Sequence, residues 1–72
     1  MKKLSLTNER KGHLAYLTDR ILIKEDKEQL YGTQFLDKKP FPIKDMKNLD
    51  KRREKMSLGK FEEYYQFMIN VD

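Results

Sequence analysis

The stretch EQLYGTQFLDKKPFPIKD, residues 28–45, restricts the fold of this chain more than any other. Gly32 interrupts an aromatic, β-prone run there, and Pro40 and Pro42 flank Phe41. Neither proline has a backbone N–H to donate, so a helix cannot run through them and any strand they enter is short and at a sheet edge. The pattern predicts a strand over 29–36, with Tyr31, Thr33 and Phe35 alternating on one face and Gly32 permitting close backbone approach on the other. A DKKP turn then leads to a returning strand over 41–44. An isolated hairpin is only marginally stable, so Tyr31 and Phe41 are expected to pack toward helices.

Helical patterns lie on both sides. Upstream, Leu14, Leu17, Ile21 and Leu22 share one broad face with Ala15 at its edge, and Asp19 falls near the margin of that face. Thr7 or Asn8 can cap this helix and Glu9 suits its first turn, while Gly12 weakens the early turns and places the firm start near His13. Downstream, Asp45 is the expected N-cap, with Asn48 as the alternative. Met46, Leu49 and Met56 then mark an inner face on which Arg53 also falls. Lys47, Lys51 and Lys55 form an outward stripe interleaved with Asp50 and Glu54. The SLG stretch ends this helix near Gly59, and Phe61, Tyr64, Tyr65 and Met68 give the last helix the cleanest apolar stripe in the chain. The predicted fold is α+β: a helix, a two-stranded β-hairpin, then two helices, in one domain over 1–72.

Size decides what must hold such a fold together. The chain has 72 residues and no cysteine, so packing alone supplies its stability, on the order of 3–5 kcal/mol for a core of this size. Added buried surface, from a second copy or a partner protein, is therefore expected. Sixteen basic against twelve acidic residues give a formal charge of +4, but twelve of the sixteen are lysines mixed with acids, which favours a solvated surface over a phosphate reader. The opening MKKLSLTNERKG has no apolar run behind it, and no segment approaches the roughly 20 apolar residues of a membrane span. The sequence reads as soluble and cytoplasmic.

Few residues carry candidate chemistry. His13 is the single histidine and has no ligand company, so neither a metal nor a cofactor is expected. Ser5 and Ser57 sit in cap or loop positions without a nearby base, and three scattered glycines do not form a phosphate loop. Tyr31, Phe35 and Phe41 on an exposed sheet would suit single-stranded nucleic acid, but in so small a protein they read more simply as core. Arg53 is different, because an arginine on an apolar helix face is costly to bury unpaired. It must reach outward, await an anion, or pair with a carboxylate; Asp19 is the expected partner, ahead of Asp45. Arg52 is expected to face solvent or the hairpin.

The order HLAYLTDRI, QLYGTQF, PFPIKD, LDKRREKMSLGKFEEY resembles the C-terminal part of a bacterial family called domain of unknown function 6624. The resemblance spans about residues 13–65 and leaves 1–12 as an N-terminal extension or helix start. The family pattern carries over onto Leu17, Thr18, Asp19 and Arg20, then Gln29, Tyr31, Gly32, Thr33 and Gln34, then Pro42 and Asp45, and finally Arg52, Arg53 and Leu58. Lys44 stands where the family usually has an acid, and Ser57 where it often has glycine, which weakens the case for a left-handed helix stop. Family members generally carry a further helical region upstream, so the resemblance implies a natural short form, a fragment, or a chain that borrows that layer from another molecule. Without that layer, the Leu14, Leu17 and Ile21 face is expected to be only partly covered by the hairpin and later helices. It implies no activity. It does imply that Asp19, Arg20, Gln29, Tyr31, Thr33, Gln34, Arg52 and Arg53 form one polar cluster, as scaffold or as site.

The leading functional expectation is a small non-catalytic protein-interaction module, an inhibitor or accessory subunit that occupies a partner surface or pairs as a homodimer. Two alternatives stand beside it. One is a nucleic-acid binder using Lys47, Lys51, Arg52 and Lys55; the other is a small-ligand or enzymatic pocket around YGTQ and Arg53.

Overall fold

The computed structural model describes residues 7–70 and has the predicted α+β order of elements. Ser5 and the first half of the N-terminal extension lie outside the described residues. Helix α1 runs Asn8–Lys24, five residues longer at its start than the His13 expectation, because the Thr7 side chain accepts the Arg10 N–H and caps it. Gly12 fits within the helix because Leu58 packs close by: a Cβ there would lie 3.4 Å from the Leu58 side chain. The helix stops at Asp26, whose φ of 60° turns the chain while Lys27 and Asp26 donate back to Leu22 and Ile23.

The hairpin is shorter than predicted. Strand β1 is Phe35–Leu36 and β2 is Lys39–Pro40, antiparallel, with Phe35 opposite Pro40. The turn is the two residues Asp37 and Lys38, both at positive φ, as a tight hairpin turn requires. The strands predicted over 29–36 and 41–44 are corrected to these two pairs and one isolated parallel bridge between Gln29 and Ile43. Residues 30–33 coil instead of extending, because the N–H groups of Leu30, Tyr31 and Thr33 turn toward the α1 side chain Asp19 rather than along a ladder.

A 3-10 turn over Met46–Asn48 leads into α2, Leu49–Lys55. Asp45 and Asn48 hold the N-cap positions of the 3-10 turn and of α2 as expected, but neither side chain caps a backbone N–H: Asp45 sits at φ 45° and its carboxylate accepts from the Asn48 side chain. Helix α2 ends at Ser57, which takes the left-handed conformation at φ 59° despite its side chain, with Leu58 and Ser57 donating back to Arg53 and Glu54. Helix α3 is Phe61–Ile69. Asp50, read from sequence as one acid in an outward stripe, accepts the Phe61 N–H at 2.9 Å and so caps α3 from a neighbouring helix.

The interior is unusual in composition. Ala15 and Leu49 are the buried apolar side chains, whereas Asp19, Gln29, Thr33 and Arg53 are buried polar ones. Around them lies a half-buried aromatic layer in which Phe35 stands 5.6 Å from Tyr64 and 6.2 Å from both Phe61 and Tyr65. Helix α1 accordingly turns its Ala15 and Asp19 side inward. Leu14, Leu17 and Ile21, the face expected to be only partly covered, are exposed at 45%, 37% and 57%.

Candidate functional site

The site begins with Asp19, a fully buried carboxylate in the middle of α1. A charge in that position is unfavourable unless hydrogen bonds replace its lost water. The loop after α1 supplies them. Oδ1 accepts the N–H groups of Leu30 at 2.8 Å and Tyr31 at 3.0 Å. Oδ2 accepts the Thr33 N–H at 3.0 Å and the Thr33 hydroxyl at 2.8 Å, and shares the Tyr31 N–H at 3.2 Å. Both oxygens are thereby saturated, since a carboxylate offers about four acceptor sites. The loop can bend this tightly because Gly32 takes φ +68°. Gly32 also lies against the Phe61 ring, where a Cβ would come within 2.8 Å. The close approach expected of this glycine is present, although in a coil and not in a strand.

Gln29 closes the same loop from within. Its side chain is fully buried; Oε1 accepts the Gln34 N–H at 2.8 Å, while Nε2 donates to the carbonyls of Gln34 and Phe41 at 3.0 and 2.9 Å. It thus does in the loop what a paired strand would do in a sheet, giving donors and acceptors to two chain segments. Gln34 donates to the Thr33 hydroxyl at 3.0 Å, and the Tyr64 hydroxyl donates to the Thr33 carbonyl at 3.3 Å.

The two arginines hold the outer side. Arg53 is 3% exposed and points inward as expected, but the predicted ion pair with Asp19 is overturned: its Nη1 donates to the Tyr31 carbonyl at 2.6 Å and its Nε to the Gly59 carbonyl at 2.7 Å. Its guanidinium also stands 5.2 Å from the Tyr64 ring centre and 5.8 Å from that of Phe61. The several donors of arginine let it reach two carbonyls from different segments at once, while the Asp19 oxygens are taken by the loop. Asp19 and Arg53 therefore grip the same residue from opposite sides, one at the Tyr31 N–H and the other at its C=O. Burial lowers the Arg53 pKa from its ordinary value, opposed by the fields of Tyr64, Asp50 and Asp19. Burial raises that of Tyr64, opposed by Arg53 and reinforced by Tyr16.

Arg52 does not turn to solvent. Its Nε donates to the Leu30 carbonyl at 2.7 Å, Nη1 to the Asp45 carbonyl at 3.1 Å, and Nη2 to the Lys44 carbonyl, so it binds the loop to the segment entering α2. A looser ion pair with the Asp45 carboxylate, at 3.9 Å, accompanies these bonds.

Of the residues expected to cluster, the structure joins Asp19, Gln29, Tyr31, Thr33, Gln34, Arg52 and Arg53 around one loop. Arg20 lies exposed outside it. Lys47, Lys51 and Lys55 are exposed at the 3-10 turn and along α2, without Arg52 among them. Among the described residues, no group of three or more His, Cys, Asp or Glu side chains is placed to hold a metal ion, and no helix is long and apolar enough to cross a membrane. A surface cleft of about 350 Å³ between α2 and α3 is lined by Leu49, Asp50, Phe61 and Tyr65 among others, away from the loop. Tyr64 and Asp50 were not singled out from the sequence as parts of this network. An Asp placed i−3 from an arginine on a short helix gives no sign that it reaches a different helix.

What the arrangement does chemically is hold a loop. Every buried side-chain nitrogen and oxygen among the described residues has a partner. These features define a small α+β domain whose loop is clamped by buried polar side chains. No family model, curated protein or solved structure matches the chain.

Proposed function

We propose that this chain is a small non-catalytic protein-interaction module, an inhibitor or accessory subunit of the cytoplasm that works by occupying a partner surface. One observation carries the reading: α1 leaves Leu14, Leu17 and Ile21 exposed on one stripe, while its polar Asp19 is inside. A contiguous apolar stripe on a small domain marks a surface that another molecule covers. The polar cluster supports the same reading, since the Asp19 carboxylate and the Gln29 amide are already engaged within the fold. For that reason a small-ligand or enzymatic pocket around YGTQ has less support.

The resemblance to the family called domain of unknown function 6624 is part of this proposal. Its support is that six of the residues it carries over, Asp19, Gln29, Tyr31, Thr33, Gln34 and Arg53, hold one another through direct hydrogen bonds, while Arg52 binds the same loop at the Leu30 carbonyl. The nucleic-acid reading rests on the exposure of Lys47, Lys51 and Lys55. It predicts a steep fall of binding with salt, which an apolar interface does not.

The test compares the parent with a Leu14→Gln, Ile21→Gln variant, by light scattering of each chain alone and by quantitative capture of host proteins. The parent is expected to self-associate or to retain a stoichiometric partner, and the variant to lose that association with an unchanged melting curve. Identical masses and identical captured proteins for both chains would contradict the reading.

A further inference from the structure

The exposed stripe of α1 has a regular layout. Arg10, Leu14, Leu17, Ile21 and Lys24 follow one another at spacings of 4, 3, 4 and 3, all exposed. This is the seam spacing of a helix that packs lengthwise against another helix, with an apolar centre and a cation at each end. From Arg10 to Lys24 the seam extends about 21 Å along the axis. Arg20 and His13, also exposed, lie beside it. The nearby acids are Glu9 at the helix start and Glu25 just past its end, the latter paired with Lys27 at 3.3 Å.

This charge layout disfavours a second copy as the occupant. In a parallel in-register pair, Arg10 meets Arg10 and Lys24 meets Lys24; in an antiparallel pair centred on Leu17, Arg10 meets Lys24. Either direction puts like charges together at both ends of a short seam, where such contacts act against pairing. A partner helix with apolar residues at the same spacing and carboxylates at the ends and flanks satisfies both the seam and its cations.

We propose that the α1 seam docks an acidic amphipathic helix of another protein, lying along Arg10–Lys24 with its apolar face on Leu14, Leu17 and Ile21. This rests on the interaction-module reading and names its partner by chemistry.

The experiment titrates the full chain with two synthetic helical peptides that share a leucine seam at 4 and 3 spacing, one flanked by glutamates and one by lysines. The glutamate peptide is expected to bind about tenfold tighter or more, with the gap narrowing at high salt. An Arg10→Glu, Lys24→Glu variant should reverse the order, and Leu14→Gln with Ile21→Gln should weaken both peptides. Equal affinity for the two peptides, lost in the Leu14→Gln, Ile21→Gln variant, would overturn the acidic partner while leaving an interaction surface. So would a homodimer abolished by that variant, or binding to vesicles of equal parts phosphatidylcholine and phosphatidylglycerol with neither peptide bound. If no probe bound and the seam substitutions changed neither the oligomeric state nor any captured partner, the inference and the interaction-module reading would fall together.

Discussion

The two sides of α1 reverse the usual distribution of side chains. Inward, Ala15 and Asp19 face a loop with no regular secondary structure, and a carboxylate there is entirely removed from solvent. Outward, Leu14, Leu17 and Ile21 meet water. The difference teaches what each side is for. The inner side obtains its stability from directed bonds, because one carboxylate satisfies the N–H groups of three loop residues that would otherwise be buried and unpaired. The outer side contributes little to the fold of the chain alone, and it is the surface on which the proposed interaction rests.

Breaking the inner side should have the largest effect. Asp19→Asn replaces one acceptor oxygen by a donor that faces N–H groups, and is expected to cost about 3 kcal/mol or more. With total stability of about 3–5 kcal/mol for a core this size, urea titration should find that variant largely unfolded where the parent is folded. Arg53→Lys keeps the charge but cannot reach the Tyr31 and Gly59 carbonyls together, and should lose about 2 kcal/mol in the same titration. Because Asp19 and Arg53 meet through the Tyr31 backbone, a double-mutant cycle should give a coupling of about 1 kcal/mol, below that of a direct buried ion pair. Gly32→Ala should cost about 2 kcal/mol, from its positive φ and the approach of the Phe61 ring, as read from thermal melts.

Much of the frame behind these effects is legible in the sequence. The order of elements follows from apolar periodicity in α1 and α3 and from the prolines between them, and the inward direction of Arg53 follows from its place beside Leu49. What the pattern misplaced is the loop. Tyr31, Thr33 and Phe35 alternate as a strand does, but local propensity carries no record of a carboxylate on α1 that draws the N–H groups of Leu30, Tyr31 and Thr33 out of any ladder. The full burial of the Ala15 and Asp19 side of α1 is hard to read for a related reason. Leucines dominate a periodicity count, yet Gly12, Ala15 and Asp19, at spacings of three and four, form the narrow side that lets Leu58 and the loop come close. The N-cap place of Asp45 follows from its type and position, but its left-handed backbone, which those do not show, turns the carboxylate to Asn48 and away from a backbone N–H.

Smaller effects sharpen the comparison. Ser57→Gly should gain about 0.5 kcal/mol at the α2 stop, the relief of its positive φ exceeding the loss of an exposed bond to Asn8. Tyr64 should add a mild alkaline dependence. Burial raises its pKa above the ordinary 10.0, so the folded state holds the proton more tightly than the unfolded one. That contribution is complete below pH 10.0 and disappears as pH rises through the folded-state value, so melts at increasing alkaline pH should show stability falling, and Tyr64→Phe should reduce the slope.

The central claim is that a coil clamped by Asp19 is among the most stable parts of this protein, and native-state hydrogen exchange tests it directly. The amides of Leu30, Tyr31 and Thr33 should exchange only through global unfolding, with the same protection as amides in the middle of α1. Exchange of those three amides at the rate of an open surface loop, while α1 stays protected, would contradict it.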